Sequence, residues 1–179
     1  FEEGAFENLK CLKKLNLSLN YLSKINTRTF KNLNELTCID LSLNDNFQFN
    51  NENFSLQDFI ALEDLKINKL EYYESAFRKL KSIHLRLTST FESSFFNYEN
   101  NLIEVYIENY HDSLNNNLII NSNLIKNWDF NSLKSLKISK FHFNKIESNT
   151  FKKMLNLKSL DLEENRISEI ETDAFNNLT

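Results

Sequence analysis

The chain is short of the two residues that most proteins use to change direction. Among 179 residues it has one glycine, Gly4, and no proline. A GxGxxG fingerprint or a P-loop needs several glycines where the backbone approaches a phosphate, so the sequence excludes both nucleotide-binding motifs. Turns must instead be made by Asn and Asp, which tolerate left-handed backbone and hydrogen-bond to neighbouring backbone groups.

Metal and thiol chemistry also have few residues available. The chain has two cysteines and three histidines, and they form neither a CxxC nor an HExxH motif, which are typical spacings of zinc ligands. We therefore expect no metal site, no cofactor and no catalytic residue. A Ser-His-Asp triad is recognised by geometry and not by spacing, so the sequence leaves that one arrangement open.

An excess of positive charge and a long apolar run are both lacking. The net charge is −4 at pH 7, whereas a dedicated nucleic-acid binder usually carries a basic face, and we expect no nucleic acid partner. No segment approaches the roughly 18 to 20 apolar residues of a membrane-spanning helix. We expect no membrane contact by this segment itself.

What the chain does contain is a repeat. Eight positions recur at the same offsets near the two ends of the sequence and follow the pattern LxxLxLxxNxLxxIxxxxFxxL, with 24 residues from Leu12 to the next start at Leu36. The two sets are Leu12, Leu15, Leu17, Asn20, Leu22, Ile25, Phe30 and Leu33, and then Leu157, Leu160, Leu162, Asn165, Ile167, Ile170, Phe175 and Leu178.

Alternation of apolar and polar residues inside each LxxLxL unit predicts a short strand with one buried face. A single coil of this kind cannot bury its own apolar side, so the coils must stack into a parallel sheet over a continuous core. The units predict about seven strands, centred near Leu15, Ile39, Leu65, Ile83, Val105, Leu136 and Leu160.

These motifs resemble the leucine-rich repeat family in its Phe-containing 24-residue class, which is similar to the extracellular repeats of Toll-like receptors and Slit-type proteins. The resemblance implies an α/β-type solenoid, a horseshoe fragment with a parallel sheet on the concave face and a mostly irregular convex side. It covers residues 1–179 as a single array, regular over 1–44 and 133–179 and irregular over 45–132. Because family members often carry disulfide-bonded caps and no Cys cluster is present, we expect an interior fragment without caps.

Inside the array, two side-chain types have predicted structural roles. The Phe at each repeat should stack along the convex side, at Phe6, Phe30, Phe96, Phe151 and Phe175. The Asn at 20, 44 and 165 should pair backbone groups where the strand turns away. The middle repeats are expected to lack this Asn, since Leu70, Thr88, Tyr110 and Phe141 stand at the matching positions. The segment 122–128 is expected to form a short helical turn.

The two cysteines should stay unpaired. Cys11 precedes the first strand and Cys38 lies in the second. Three residues of register at about 3.3 Å and one strand spacing of about 4.8 Å separate their Cα atoms by roughly 11 Å. Because a disulfide needs less than about 7 Å, we expect two free thiols.

Outward positions of the strands define the candidate binding surface. The central row is predicted to hold Asn16, Asp40, Lys66, His84, Tyr106, Lys137 and Asp161, with Arg86 and Glu108 beside it. Tyr and Arg are enriched in binding hot spots, so we expect a protein ligand to contact His84, Arg86, Tyr106 and Glu108. A solvated face of mixed charge would show the same pattern, and His84 would make contact pH-dependent near its ordinary pKa of about 6.5.

The resemblance implies a protein-binding module of a cell-surface receptor ectodomain or a secreted recognition protein, located outside the cell or at its surface. The alternative is a structural adhesion or matrix protein that uses the repeats as a spacer, with possible self-association. An enzyme is the third class, disfavoured because solenoid surfaces rarely form the closed, dry pocket that catalysis favours. Sequons at Asn16, Asn53 and Asn177 are possible N-glycosylation sites.

Overall fold

The computed structural model describes residues 2, 4–23, 25, 27–44, 47, 59–68, 79–87, 96, 101–110 and 120–178. Within them, seven strands form one parallel sheet in chain order. These strands are β1 (Lys14–Asn16), β2 (Cys38–Asp40), β3 (Asp64–Ile67), β4 (Ser82–Leu87), β5 (Glu104–Asn109), β6 (Ser135–Ser139) and β8 (Ser159–Asp161). A second parallel pair, β7 (Lys145–Ile146) with β9 (Glu169–Ile170), was not predicted.

The strand register confirms the predicted repeat. All seven predicted strand centres are partners in one continuous ladder, in the order Leu15, Ile39, Leu65, Ile83, Val105, Leu136 and Leu160. The five inner members of this row are 0% exposed, whereas Leu15 and Leu160 in the outermost strands are half-buried. Each apolar centre is therefore buried by the coils on both sides of it.

Backbone carbonyls just before the strands connect each coil to the next. The Lys13 carbonyl accepts the Thr37 and Cys38 N–H groups at 2.9 and 3.1 Å, and the Thr37 carbonyl accepts the Glu63 and Asp64 N–H groups at 2.9 and 3.0 Å. The same double acceptance continues coil by coil to Lys134, whose carbonyl accepts from the Lys158 and Ser159 N–H groups. The strands thus begin at a common edge of the sheet.

Asparagine amides close the other edge, as predicted. Asn44, which is fully buried, donates to the carbonyls of Leu17 and Leu41 at 3.0 and 2.9 Å and accepts the Leu22 N–H at 2.9 Å. Asn165 makes the equivalent bonds in the last coil. Each amide therefore satisfies backbone groups of its own coil and of the coil before it.

The prediction that the middle repeats lack this amide is wrong for the third coil. Asn68 is buried, donates to the Asn44 carbonyl at 3.3 Å and accepts the Leu43 N–H at 2.6 Å. An Asn amide can pair backbone groups from any position close to the end of its strand. Asn68 has such a position, because it directly follows β3, which ends at Ile67. Of the residues at the matching positions, Leu70 and Thr88 lie outside the described residues, Tyr110 is exposed and Phe141 is buried.

Left-handed backbone recurs at fixed points of the repeat and uses more residue types than the sequence suggested. Asn and Asp supply four of the described non-glycine positions with positive φ, but the residue before the Asn position is also left-handed, at Leu19, Leu43, Lys140 and Glu164. Another such point lies two residues before a Phe, at Gly4, Asn149 and Asp173. The single glycine thus occupies a position that other coils fill with Asn or Asp.

The aromatic row on the convex side is confirmed in pairs. Phe6 stacks on Phe30 at 5.8 Å between ring centroids, and Phe151 stacks on Phe175 at 5.7 Å. Phe96 packs instead against Trp128 and Phe130, at 5.0 and 4.9 Å, because the long repeat brings those two rings under it.

The long repeat contains the predicted helical turn, α1 (Ser122–Ile125), which is capped by the Asn121 side chain accepting the Leu124 N–H at 3.0 Å. Cys11 and Cys38 are free thiols, as expected.

Truncating Phe151 to Ala should lower the free energy of unfolding by about 3–5 kcal/mol, because the ring is fully buried. Phe175→Ala is the matched control: its ring takes part in the same stacking contact but is 41% exposed, so we expect a loss of roughly 1–2 kcal/mol. Urea denaturation measures both. A loss below about 1 kcal/mol for Phe151→Ala would contradict a core role for the aromatic row.

Candidate functional site

The outward face of the sheet presents one continuous row of polar side chains. Strand register places its seven predicted members side by side, in the order Asn16, Asp40, Lys66, His84, Tyr106, Lys137 and Asp161. Outward residues alternate with the buried apolar positions along every strand, so the same packing that builds the core fixes their spacing.

The structure brings the four predicted contact residues together as two directly facing pairs. His84 lies opposite Tyr106 and Arg86 opposite Glu108, on β4 and β5. The His84 ring meets the Tyr106 ring edge-on, with centroids 4.1 Å apart and planes at 86°. Arg86 Nε lies 3.3 Å from Glu108 Oε2. We call these four residues the concave patch.

A pocket of about 350 Å³ opens over the concave patch and extends toward β6 and β8. Lys137, Ser139 and Glu163 complete its polar lining. Lys137 Nζ lies 2.8 Å from Asp161 Oδ2 and also contacts Glu163. The sequence analysis missed Ser139 and Glu163 as site residues, although each lies two positions beyond a member of the central row and so shares its outward direction.

Lys140 was missed for a different reason. Its Nζ lies 2.7 Å from Glu108 Oε1, so Glu108 binds two cations at once. Lys140 falls outside the alternation of β6 and has a left-handed backbone, with φ of 64°. The alternation of inward and outward side chains along β6 therefore gives no signal that would place the Lys140 side chain on the concave face.

Ser139 is the most deeply buried polar residue of this pocket, at 1% exposure. Its Oγ makes no hydrogen bond to the part of the chain that the structure describes, and the same holds for the buried Nε2 of His84. Buried polar atoms are nearly always paired. Two atoms on the pocket side of the sheet thus have free hydrogen-bonding capacity.

Burial sets the charge state of His84. It lowers the pKa of the imidazole to about 4, helped by the positive charges of Lys66 and Arg86 and opposed by Asp64 and Asp40. The expectation of a pH-dependent contact near 6.5 is therefore wrong for this structure, because His84 is neutral throughout that range. The physical cause is the close cover of the ring by its neighbours, which disfavours the charged form.

The pKa shifts of Lys137, Lys140 and Asp161 favour the charged forms of these three groups. Hydrogen bonds that the Lys137 ammonium donates to Asp161 and Glu163 raise its pKa, and the Lys137 ammonium lowers the pKa of the Asp161 carboxyl. A hydrogen bond to Glu108 raises the pKa of Lys140. Since all these side chains are partly exposed to solvent, their pairs contribute little to stability and mainly fix side-chain positions.

Cys38 is not arranged for nucleophilic chemistry. Cys38 Sγ lies 3.4 Å from Asp64 Oδ2. Burial, and next the Asp64 carboxylate, raise the pKa of the Cys38 thiol, whereas reactive cysteines have a lowered pKa. In the described ranges no three His, Cys, Asp or Glu side chains cluster closely enough to hold a metal ion.

Two of the three sequons lie on the described surface. Asn16 is exposed in β1, and its Oδ1 accepts hydrogen bonds from the Ser18 N–H and hydroxyl at 2.9 and 2.7 Å. Asn177 is exposed in the last turn. Asn53 lies outside the described residues.

Comparison with known proteins gives a family. The sequence model described as leucine rich repeat matches residues 1–45 and 131–179, which is more than half of the chain. The chain belongs to the leucine-rich repeat family. Among curated protein sequences nothing matches this repeat chain.

Solved leucine-rich repeat structures share the fold. The repeat chain is 20% identical, with a TM-score of 0.59, to a chain in the structure of the Toll–Spatzle complex from Drosophila, and covers 98% of itself and 30% of that chain. It is 24% identical, with a TM-score of 0.51, to a chain in the crystal structure of the TLR13–ssRNA13 complex, of which it covers 21%. It therefore spans less than a third of the length of either receptor chain.

The horseshoe fold class is thereby confirmed, with the parallel sheet and few helical residues. Across the described part of the chain, the structure contains no helix with the length and apolar character needed to cross a bilayer. The repeat chain is a protein-binding type of module, and its particular ligand is a matter for proposal.

Acid should destabilise the repeat chain through His84. The folded pKa of about 4 lies below the ordinary value of 6.5, so the unfolded state binds the proton more readily. The stability from neutral His84 is complete above about pH 6.5 and is lost as the pH falls toward 4. Between pH 7 and 4.5, wild type should lose more unfolding free energy than His84→Gln, which cannot titrate. An NMR titration of His84 with a midpoint near 6.5 would contradict the burial argument.

Proposed function

We propose that this repeat chain belongs to a receptor ectodomain or a secreted recognition protein and binds a protein ligand on the concave patch. The observation that carries the proposal is the pairing of His84 with Tyr106 and of Arg86 with Glu108 beneath one pocket of about 350 Å³. A strand scaffold holds all four side chains in place. Function is argued from this site, because the fold alone does not fix it.

Preorganisation is the physical basis of the proposed affinity. The Tyr106 ring is positioned by His84, and the Arg86 guanidinium by Glu108, which Lys140 positions in turn. Side chains that are already ordered lose less entropy on binding. Tyr and Arg are the residue types that most often dominate binding energy.

The choice of a protein ligand follows from the nature of the patch. The patch offers apolar ring surface and fixed charges of both signs, whereas nucleic acid recognition depends on a mainly positive surface. One structural neighbour is a complex with the protein Spatzle, and another is a complex with ssRNA. The expectation that nucleic acid is not a partner rests on the net charge alone. Competition by an RNA oligonucleotide tests it directly.

An extracellular or cell-surface location is part of the proposal, and the exposed sequons at Asn16 and Asn177 support it. A glycan on Asn16 would be attached three strands from His84, about 14 Å away at the usual strand spacing.

We also place the chain as one array over residues 1–179, regular at 1–44 and 133–179 and irregular at 45–132. The fold itself is equally suited to the alternative of an adhesion or matrix spacer.

The test is affinity capture of partners by the intact protein, followed by measurement of Kd for wild type and a Tyr106→Ala, Arg86→Ala double variant. Loss of a true hot spot should cost at least about 2 kcal/mol of binding, which is roughly a 30-fold rise in Kd. A matched control, Lys14→Ala with Ser159→Ala, removes side chains from the same face of the outermost strands and should leave Kd unchanged.

Unchanged affinity of the Tyr106 and Arg86 double variant would contradict the proposal and place the protein contact elsewhere, first in the long segment between Tyr110 and Phe130. Competition by a single-stranded RNA oligonucleotide that equals the captured protein would assign the patch to nucleic acid instead. Capture of the same chain alone would favour self-association and the spacer alternative.

A further inference from the structure

A second surface lies at the edge of the sheet where the strands begin, away from the concave patch. A groove of about 860 Å³ runs along this edge. Its lining residues come from six successive coils, from Thr37 in the second to Asn156 in the seventh. Five intervals of about 4.8 Å give the groove a length of roughly 24 Å, which matches about seven residues of extended peptide. None of its lining residues belongs to the concave patch.

Positive charge is concentrated on this edge although the chain as a whole is acidic. The described residues within the five positions before each strand of the main sheet include six lysines and two glutamates, all exposed, against a net charge of −4 for the whole chain. The lysines are 10, 13, 79, 81, 134 and 158, and the glutamates are 35 and 63. The described residues of this edge therefore carry a net positive charge and attract anions.

Hydrogen bonds order part of this charge. Lys79 Nζ donates to the Ile60 carbonyl at 2.6 Å, and Lys81 Nζ lies 2.6 Å from Glu63 Oε1. Lys134 lines the same groove and makes no ion pair with the described residues. Two lysine ammonium groups, those of Lys79 and Lys134, thus remain in the groove without a neutralising carboxylate from that part of the chain.

Apolar surface lies between these charges. Ile60 is 55% exposed although it is a large aliphatic residue, and Ala61 and Ile103 line the groove with it. A row of lysines interrupted by aliphatic side chains matches a ligand that alternates carboxylates with apolar groups. An extended peptide turns every second side chain to the same face, so a segment with carboxylates and aliphatic groups at alternate positions of that face matches the groove.

We propose that this groove binds an extended acidic segment of a partner protein, with carboxylates at Lys79 and Lys134 and an aliphatic side chain against Ile60 and Ile103. Single-stranded nucleic acid is the less suitable occupant, since its bases stack on aromatic rings and the described lining contains none. A sulfated polysaccharide has no apolar side chains to cover Ile60. The inference does not depend on the concave patch.

The probe is a fluorescein-labelled decapeptide in which Glu and Leu alternate at every second position with Ser between them, so that both types share one face of the extended chain. It is added to the intact protein, and binding is followed by fluorescence anisotropy. Lys79→Gln with Lys134→Gln should raise its Kd about tenfold, because each exposed ionic contact contributes modestly. Restoration by Lys79→Arg with Lys134→Arg would assign the effect to charge. Ile60→Ser should weaken binding about threefold through lost apolar contact.

Lys31→Gln with Lys152→Gln is the matched control, since it removes the same charge from exposed positions that do not line the groove. It should leave Kd unchanged, as should Tyr106→Ala with Arg86→Ala, so that failure of this site and failure of the concave patch are told apart. Equal loss in the Lys31 and Lys152 control would overturn the proposal. Binding of heparin, an RNA oligonucleotide or a Glu-Ser decapeptide as tightly as the Glu-Leu probe would also overturn it, in favour of a general polyanion surface.

Discussion

The main sheet and the core of this fold are built from contacts between one coil and the next, because a single coil cannot bury its own apolar side. The Lys13 carbonyl is paired by Thr37 and Cys38 of the following coil, and the Asn44 amide reaches back to Leu17 and Leu22. The same dependence explains why Ile83 and Val105 are fully buried while Leu15 and Leu160 remain half-exposed.

Because the contacts that stabilise the fold lie on the inward side of the coils, the outer surfaces are available for recognition. Inward side chains and backbone ladders carry the fold, so outward residues such as Tyr106 and Arg86 are held at defined spacings without being needed for the core. Two outer surfaces carry side chains that suit recognition. Charges of both signs surround an aromatic pair on the concave face, and lysines alternate with aliphatic residues along the edge where the strands begin.

Periodicity predicted the parts of the structure that repeat. The strand centres, the Phe151–Phe175 stack and the facing of His84 with Tyr106 follow from equal spacing, since residues at the same offset meet in neighbouring coils. The misses depend on local geometry. Asn68 pairs the backbone from two positions before Leu70, where the repeat pattern expects the Asn. Lys140 reaches the concave face because its backbone is left-handed. The pKa of His84 depends on how tightly its neighbours cover it, which spacing does not encode.

The most direct test of coil-to-coil dependence is a pair of double-mutant cycles measured by urea denaturation. Leu85 and Ile107 are partners in adjacent strands, whereas Leu41 and Ile138 lie four strands apart. The account predicts a coupling energy of about 0.5–3 kcal/mol between Leu85→Ala and Ile107→Val. Between Leu41→Ala and Ile138→Val, it predicts additivity within about 0.5 kcal/mol. Equal coupling in the two cycles would contradict it and indicate a core that responds as one undivided unit.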